Sequence, residues 1–423
     1  MANRAVVAMG GGPTRVINRT LFGIVDECSK RGISVLGARH GIEGVLSEGF
    51  EELSPSAPTV ATHRDWPGAM IGSTRKKPSS EDCATAFDIY KKRGVRYLFY
   101  IGGNDTSEAC AIINQNAEHS DYELRTFHVP KTVDNDLVLN DHTPGYGSAA
   151  RYVAHAILGD DLDSQSLPGL KIDVIMGRNA GWLTAASVLA REKPGDAPHL
   201  IYVCERKFSV KELADDMVEL YNRQKRGVIA CSEGLLGPDG EPFLNSQAVR
   251  EELSEGPYGA VVEFIEASEK MLAASGSKKD DFGHTQLSGT GMLADALAAI
   301  AKIAIIHQSG VESPRVRADT LGYAQRAYAG DCSPPDAEEA ELVGRDAVKY
   351  ADQGNIDGSV TLQADRSGGG YRCHTQIAKL KDIGGKVRTL DEKFISRDGR
   401  DITDAFVEYA LPIVGDIQRS CKR

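Results

Sequence analysis

The stretch that decides the fold reads VRYLFYIGGNDTSEACAIINQNAEHSDYELRTFHVPKTVDND over residues 95–136. An apolar, strand-like run over 95–101 is followed by a helical segment over about 106–115 and a second strand-like run over 124–129. A strand, a helix and a second strand in this order predict a right-handed crossover in a parallel sheet. Glycine, amide and acidic residues follow the two strand-like runs, at the strand ends where open α/β sheets place their ligands.

The same alternation extends through the rest of the chain. Further strand-like runs lie over 5–9, 34–38, 171–176, 200–204 and 228–231. Further helical segments are predicted over 15–30, 80–93, 180–191, 210–224 and 292–307. A loop rich in Gly, Ser, Thr and Asp is predicted over 280–289. At 423 residues, the chain is long enough for two domains, so we expect an α/β protein with two doubly wound units.

Composition limits the partners and the compartment. The chain is 41% hydrophobic and 26% charged, and no apolar run approaches the roughly 20 residues of a membrane span, so we expect no membrane segment. The N-terminus leads directly into a strand-like run without a signal-peptide core, which favours the cytoplasm. The 8 cysteines occur singly, which predicts reduced thiols. The net charge of −11 argues against a nucleic-acid partner.

The segment over 130–136 concentrates groups that suit phosphoryl transfer. Such a reaction needs a base at the attacking hydroxyl, a carboxylate for a metal ion and a cation near the transferred group. Asp134, Asp136 and Lys131 can fill these roles. The same composition also suits a polar turn, because Asp and Asn side chains bond to their own backbone. The segment alone leaves both interpretations open.

A glycine loop, residues 10–12, follows the first strand-like run and precedes the first helical segment. Free backbone N–H groups and the helix dipole make such a loop an anion site, although a tight turn has the same composition. The loop lacks the Gly-x-Gly-x-x-Gly fingerprint with an acidic residue about 20 positions later, so a dinucleotide-binding oxidoreductase is not indicated. The net negative charge implies that arginines would capture an anionic substrate locally, although Arg75 and Arg317 could equally be solvated surface charges.

Five segments in order resemble the phosphofructokinases, most closely their pyrophosphate-dependent branch. They are Gly102-Gly103-Asn104-Asp105, the 130–136 segment, Met176-Gly177-Arg178, Ser232-Glu233-Gly234 and Leu321-Gly322-Tyr323-Ala324-Gln325-Arg326. The resemblance runs from about residue 5 to the low 340s. It implies two Rossmann-like domains with the active site in the cleft between them. A donor domain would comprise 1–145 and about 327–365, and a sugar-phosphate domain 146–326 and about 366–423.

The resemblance also implies roles for individual residues. Asp134 would be the general base, and Lys131 and Asp105 would favour pyrophosphate over ATP as the donor. Gly11 and Arg75 would contact the donor, and Asn104 and Asp136 would hold Mg²⁺. The residues expected to bind the sugar phosphate are Thr132, Val133, Asp134, Met176, Gly177, Arg178, Glu233, Arg317, Tyr323 and Arg326.

The activity that this resemblance implies is reversible phosphoryl transfer from pyrophosphate to the 1-hydroxyl of fructose 6-phosphate. A homodimer or homotetramer is expected. Two alternatives stay open. One is a pyrophosphate-dependent kinase for another sugar phosphate or polyol, such as sedoheptulose 7-phosphate or inositol. The other is a non-catalytic regulatory subunit, against which the presence of Asp134, Asp136 and Lys131 argues.

Overall fold

The computed structural model describes residues 4–56, 58–274, 290–354, 357–367 and 370–417. These residues form two compact units. The first unit comprises Met1–Arg151, Arg326–Arg388 and Pro412–Asp416, and the second comprises Tyr152–Gln325, Thr389–Leu411 and Ile417–Arg423. The predicted loop over 280–289 lies outside the described residues.

The strands are β1 (Arg4–Met9), β2 (Ser34–Ala38), β3 (Phe50–Leu53), β4 (Val95–Gly102), β5 (Arg125–Pro130), β6 (Gly169–Ile175), β7 (Leu200–Tyr202), β8 (Arg226–Ser232), β9 (Val316–Thr320), β10 (Asp357–Asp365) and β11 (Arg372–Ala378). The helices are α1 (Ile17–Lys30), α2 (Ile42–Leu46), α3 (Pro58–His63), α4 (Ser80–Arg93), α5 (Asn104–Glu118), α6 (Tyr146–Ser166), α7 (Trp182–Ala186), α8 (Val210–Gln224), α9 (Gln247–Glu255), α10 (Gly259–Ala274), α11 (Met292–Ser309), α12 (Pro334–Asp352), α13 (Leu380–Ile383) and α14 (Asp404–Val414).

The first unit is built on a seven-stranded sheet in the order β11-β10-β5-β4-β1-β2-β3. The five inner strands run parallel, and β3 and β11 pair antiparallel at the two edges. Successive side chains of β1 enter opposite cores, as the period of a strand requires. Val7 packs in the core that includes α1 and α12, and Val6 packs in the core that includes α4 and α5. The predicted doubly wound α/β architecture is therefore confirmed.

The second unit contains a parallel four-stranded sheet in the order β7-β8-β6-β9. Its core is formed by β6 and β8 with apolar side chains of α8 and α11. Among the described residues, α11 is the one helix whose length and hydropathy would suffice for a membrane span, and half of that window is buried within the protein. Its Leu297, Ile300 and Ala301 lie in the core, so α11 is a core helix of this unit.

The expected domain bounds and one expected helix differ from the structure. Residues 146–151 and 412–416 were expected in the second domain and belong to the first unit. Residues 366–388 were expected in the second domain, but the described part of this segment belongs to the first unit, because β11 pairs with β10 along its full length. The helix predicted over 180–191 is the short α7 followed by a 3₁₀ turn, Ser187–Ala190. By contrast, α4 and α8 have the predicted bounds, and each begins with a capping box, at Ser79 and Ser209.

Candidate active site

Three loops of the first unit lie side by side because β5, β4 and β1 are neighbours in the sheet. The glycine loop follows β1, the start of α5 follows β4, and a loop that we call the acidic loop, residues 131–141, follows β5. Backbone hydrogen bonds join them: Gly10 N donates to Ile101 O at 2.8 Å, and Lys131 N donates to Gly102 O at 2.9 Å. The carboxyl ends of parallel strands thus bring the predicted donor and catalytic residues together.

Lys131 is buried beneath the glycine loop. Its Nζ donates to the carbonyl oxygens of Gly10 at 3.0 Å and Gly12 at 2.6 Å, and the residue is only 2% exposed. Burial lowers the pKa of Lys131 to about 8, and the charge of Arg326 acts in the same direction. Gly11 has φ of +75°, a left-handed backbone conformation that glycine adopts readily, and it lies next to Lys131 Nζ.

Asn104 and Asp136 face each other at the start of α5 and in the acidic loop. Asn104 Nδ2 donates to Asp136 Oδ2 at 2.6 Å. Burial raises the pKa of Asp136 well above its ordinary value, and the charge of Asp134 adds to this effect. Within the described part of the chain, Asn104 Oδ1 and Asp136 Oδ1 are buried acceptors without a hydrogen-bond partner. Hard divalent cations bind oxygen ligands, and Mg²⁺ is often held by one or two protein side chains together with water and phosphate oxygens, so these residues fit a metal ion.

Asp134 is held by its neighbour Thr132. The backbone N–H of Asp134 donates to Thr132 Oγ1 at 3.1 Å, and this hydroxyl lies 3.4 Å from Asp134 Oδ2. Thr132 and Val133 are buried, whereas Asp134 is half-buried. Thr132 therefore holds the backbone of Asp134, and the partly exposed carboxylate has the chemistry of a general base.

Asp105 lies in the first turn of α5, where no side chain caps the helix. Its carboxylate is 75% exposed and lies 3.2 Å from the ammonium of Lys77, which also bonds to Glu108. Arg75 is exposed and follows Thr74, whose carbonyl accepts from Gly11 N at 2.9 Å. The segment over 74–77 therefore lies beside the glycine loop, and the charge of Arg75 contributes to the lowered pKa of Lys131, after burial and Arg326.

The chain leaves the second unit after Gln325, and Arg326 is the first residue that again belongs to the first unit. A Cβ on Gly12 would lie 3.1 Å from its Cζ, so the guanidinium lies against the glycine loop. From the sequence, Arg326 was expected among the sugar-phosphate residues, in a domain ending at 326. The structure instead groups it with Lys131 and Arg75, because the chain turns back to the glycine loop at this residue.

The second unit brings together most of the other predicted sugar-phosphate residues. Gly177 N donates to Glu233 Oε1 at 3.3 Å, and Met176 N donates to Gln325 Oε1 at 3.3 Å. Tyr323 lies in the same 3₁₀ turn as Gln325 and is 55% exposed. The loops after β6, β8 and β9 thus form one polar cluster, next to which Arg178 is exposed.

Arg317 does not join this cluster. It is exposed on β9 and pairs in register with Lys171 of β6. Lys171 precedes Met176 by five residues, which corresponds to about 16 Å along a strand. Arg317 therefore lies toward the opposite end of this sheet, and no described contact links it to Met176, Glu233 or Tyr323.

Three residues near these loops were missed by sequence analysis. Lys77 belongs to a basic run, Arg75-Lys76-Lys77, of which only Arg75 was given a role from the sequence. Gln325 lies inside a matched motif, so its side chain could have been considered. Arg388 bonds to the acidic loop from a distant part of the chain, and no pattern in the sequence indicates it.

Comparisons with known proteins show the family of this chain. The chain matches the family model described as phosphofructokinase over residues 4–351. It is 42% identical over 419 residues to a pyrophosphate–fructose 6-phosphate 1-phosphotransferase of Rhodospirillum rubrum, covering 97% of this chain and 94% of that protein. A protein of the same name from Xanthomonas campestris is 31% identical over 417 residues, covering 96% and 90%.

A solved structure gives the same picture at the level of the fold. The pyrophosphate-dependent phosphofructokinase of Nitrosospira multiformis superposes with a TM-score of 0.78 at 26% identity, covering 98% of this chain and 92% of that one. Since the family match, the similar sequences and the similar fold each extend over most of the chain, this protein belongs to the phosphofructokinase family.

Proposed function

We propose that this protein catalyses reversible phosphoryl transfer from pyrophosphate to the 1-hydroxyl of fructose 6-phosphate, giving fructose 1,6-bisphosphate and phosphate. The names of relatives that match almost the whole chain support this activity. The observation that carries the donor assignment is the buried ammonium of Lys131, bonded to the glycine-loop carbonyls at 2.6 and 3.0 Å. A buried cation at a strand end is a strong site for a compact, highly charged anion.

The donor half of the site lies in the first unit. Pyrophosphate would bind at the glycine loop near Gly11 and the uncapped start of α5, with Lys131, Arg75 and Arg326 supplying positive charge. The exposed carboxylate of Asp105 at this helix start would repel the α-phosphate of a nucleotide. The arrangement favours pyrophosphate by attraction at Lys131 and disfavours ATP by repulsion at Asp105.

A divalent cation, which we propose to be Mg²⁺, would be held by Asp136 and Asn104 through the acceptor oxygens described above. When bound, it would offset the negative charge of pyrophosphate. Asn104 is a neutral amide, so Asp136 is the anionic ligand of this pair.

Asp134 would act as the general base. It accepts the proton of the 1-hydroxyl as that oxygen bonds to the terminal phosphorus of pyrophosphate, and the bridging P–O bond breaks to release phosphate. Thr132 orients the carboxylate, as its 3.1 Å bond to Asp134 N supports. Val133 belongs to the same buried segment and would line the acceptor's position.

The sugar phosphate would be bound by Met176, Gly177, Arg178, Glu233 and Tyr323 in the second unit. Glu233 can accept from sugar hydroxyls, and Arg178 can hold the 6-phosphate. Arg317 lies apart from them in this unit, so its predicted role in binding is the least supported. The position of Arg326 supports a role near the transferred group in addition to the predicted sugar-phosphate contact.

We further propose a homo-oligomer in the cytoplasm. The seven described cysteines are free thiols, which supports a reducing compartment. Sedimentation of the purified protein would give its oligomeric state.

The decisive experiment is an assay of the purified chain with pyrophosphate or ATP as donor and a panel of acceptors. Fructose 6-phosphate, sedoheptulose 7-phosphate and inositol form the panel, and Asp134→Asn is the control for contaminating activity. We expect the highest kcat/KM with pyrophosphate and fructose 6-phosphate. A preference for ATP would refute the donor assignment, and no activity with any pair would instead support a regulatory subunit.

A further inference from the structure

The acidic loop has a strained backbone next to its proposed catalytic carboxylates. Asn135 has φ of 57° and Leu139 has φ of 60°, in the left-handed region that asparagine tolerates and leucine rarely adopts. Asn135 immediately precedes Asp136 and follows Asp134. Such conformations persist where neighbouring groups hold them, and they are common at active sites.

Arg388 holds this strained segment from a distant part of the chain. Its Nη2 and Nε donate to the carbonyl of Asn135 at 2.9 and 3.2 Å, and its Nη1 donates to the carbonyls of Asn140 and Asp141. Its own backbone N–H donates to the carbonyl of Asp136 at 2.7 Å. One residue therefore bonds to the loop on both sides of Leu139 and directly at Asp136.

Besides the bond between Asn104 and Asp136 described above, other contacts hold the far end of the loop. Asn140 Oδ1 accepts from Leu362 N at 2.9 Å, and Gln363 Nε2 donates to Leu139 O at 2.7 Å. Just beyond the loop, His142 bonds to Glu339 at 2.7 Å. These contacts fix residues 139–142, whereas the guanidinium of Arg388 connects that end to the Asn135 end.

We propose that Arg388 is a positioning residue for phosphoryl transfer, which fixes the backbone over 135–141 and thereby the carboxylates of Asp134 and Asp136. This inference rests on the proposed function, because it takes those carboxylates as the base and the metal ligand. Arg388 would act through the loop, because its described side-chain hydrogen bonds go to backbone carbonyl oxygens of the loop. A guanidinium suits the task because its five N–H donors form a rigid fork, whereas a lysine offers three donors at one point.

The test compares Arg388→Ala and Arg388→Lys with a matched control, Arg345→Ala. Arg345 also lies in the first unit, and its side chain is 24% exposed and bonded to Asp26 and Glu341 on helices α1 and α12. We expect Arg388→Ala to lower kcat by about 10- to 100-fold, since small misplacements of reacting groups have effects of this size. Both KM values should stay within about threefold, because the substrate contacts are intact.

Chemical rescue separates positioning from a general loss of stability. Guanidinium ion, added far below denaturing concentrations, should restore part of the kcat of Arg388→Ala by occupying the vacated site, and should leave Arg345→Ala unchanged. We expect Arg388→Lys to have an intermediate kcat that is not rescued. Thermal melts should show that both alanine variants are folded at the assay temperature.

The contrary outcomes are distinct. If the wild type is active and folded Arg388→Ala retains its kcat, or loses kcat without any rescue, the inference is overturned while the proposed function stands. If Arg388→Ala does not fold, a normal kcat for Arg388→Lys overturns it in the same way. A wild-type protein inactive with pyrophosphate would refute the proposed function, and this inference with it.

Discussion

Replacing Lys131 by methionine should separate the stability of this protein from its activity. Methionine is unbranched and similar in length, so it can fill the space of a lysine that is only 2% exposed. Burial lowers the pKa of Lys131 from 10.5 to about 8, which at 1.36 kcal/mol per unit is a cost of about 3 kcal/mol for keeping the ammonium charged in the folded state. Methionine removes that cost and loses the two bonds to Gly10 and Gly12.

The pH dependence isolates the electrostatic part of this change. The folded-state pKa lies below the unfolded value, so between about pH 8 and pH 10.5 the unfolded chain binds one more proton and stability rises with pH. Relative to Lys131→Met, the wild type should therefore gain about 2 kcal/mol of stability between pH 7 and pH 9.5. Comparing the two proteins at both pH values largely cancels two other contributions to the free energy of unfolding. The loss of the two hydrogen bonds contributes equally at both pH values, and the titration of other groups contributes equally in both proteins.

The assay is urea unfolding of both proteins without pyrophosphate at the two pH values, together with turnover at pH 7. Turnover of Lys131→Met should fall at least about 100-fold, because a charge-assisted contact to the transferred group is lost. A stability difference that does not change with pH would refute the argument that burial lowers the pKa of Lys131 in the folded protein. Unchanged turnover would refute its role toward the donor.

Three further changes test the division of the site. Asp134→Asn should lower kcat by about 100-fold or more and leave the KM for fructose 6-phosphate within a few fold, and near-normal turnover would exclude Asp134 as the base. Asp105→Gly should raise kcat/KM for ATP about fivefold, which is about 1 kcal/mol of like-charge repulsion for an exposed carboxylate; no gain would show that repulsion there does not exclude the nucleotide. Arg326→Ala should raise the KM for pyrophosphate as well as that for fructose 6-phosphate, because the guanidinium lies against the glycine loop; an effect on the sugar phosphate alone would restore the sequence-based assignment.

Much of the fold was predictable because its signals are local. Strand-like runs alternating with helices indicated a parallel sheet, and the carboxyl ends of neighbouring strands then had to meet at one edge. The contact between Asn104 and Asp136 follows from this rule, since they come after β4 and β5, which are adjacent. Lys131 reaches the glycine loop for the same reason, because β1 lies on the other side of β4.

The amino-acid sequence by itself thus determined the α/β class, the strands that carry the site, and the charged groups clustered within seven residues at 130–136. Tertiary structure decided the contacts between distant segments. The pairing of β11 with β10 assigned residues 366–388 to the first unit, and parallel register set Arg317 apart from Glu233. The contact between Arg388 and the acidic loop depends on the tertiary structure, because the described side-chain hydrogen bonds of Arg388 go to backbone carbonyl oxygens. Every residue has such an oxygen, so the types of residue in the loop do not indicate this contact. Such contacts depend on where the chain returns in space, and no local pattern of side chains encodes them.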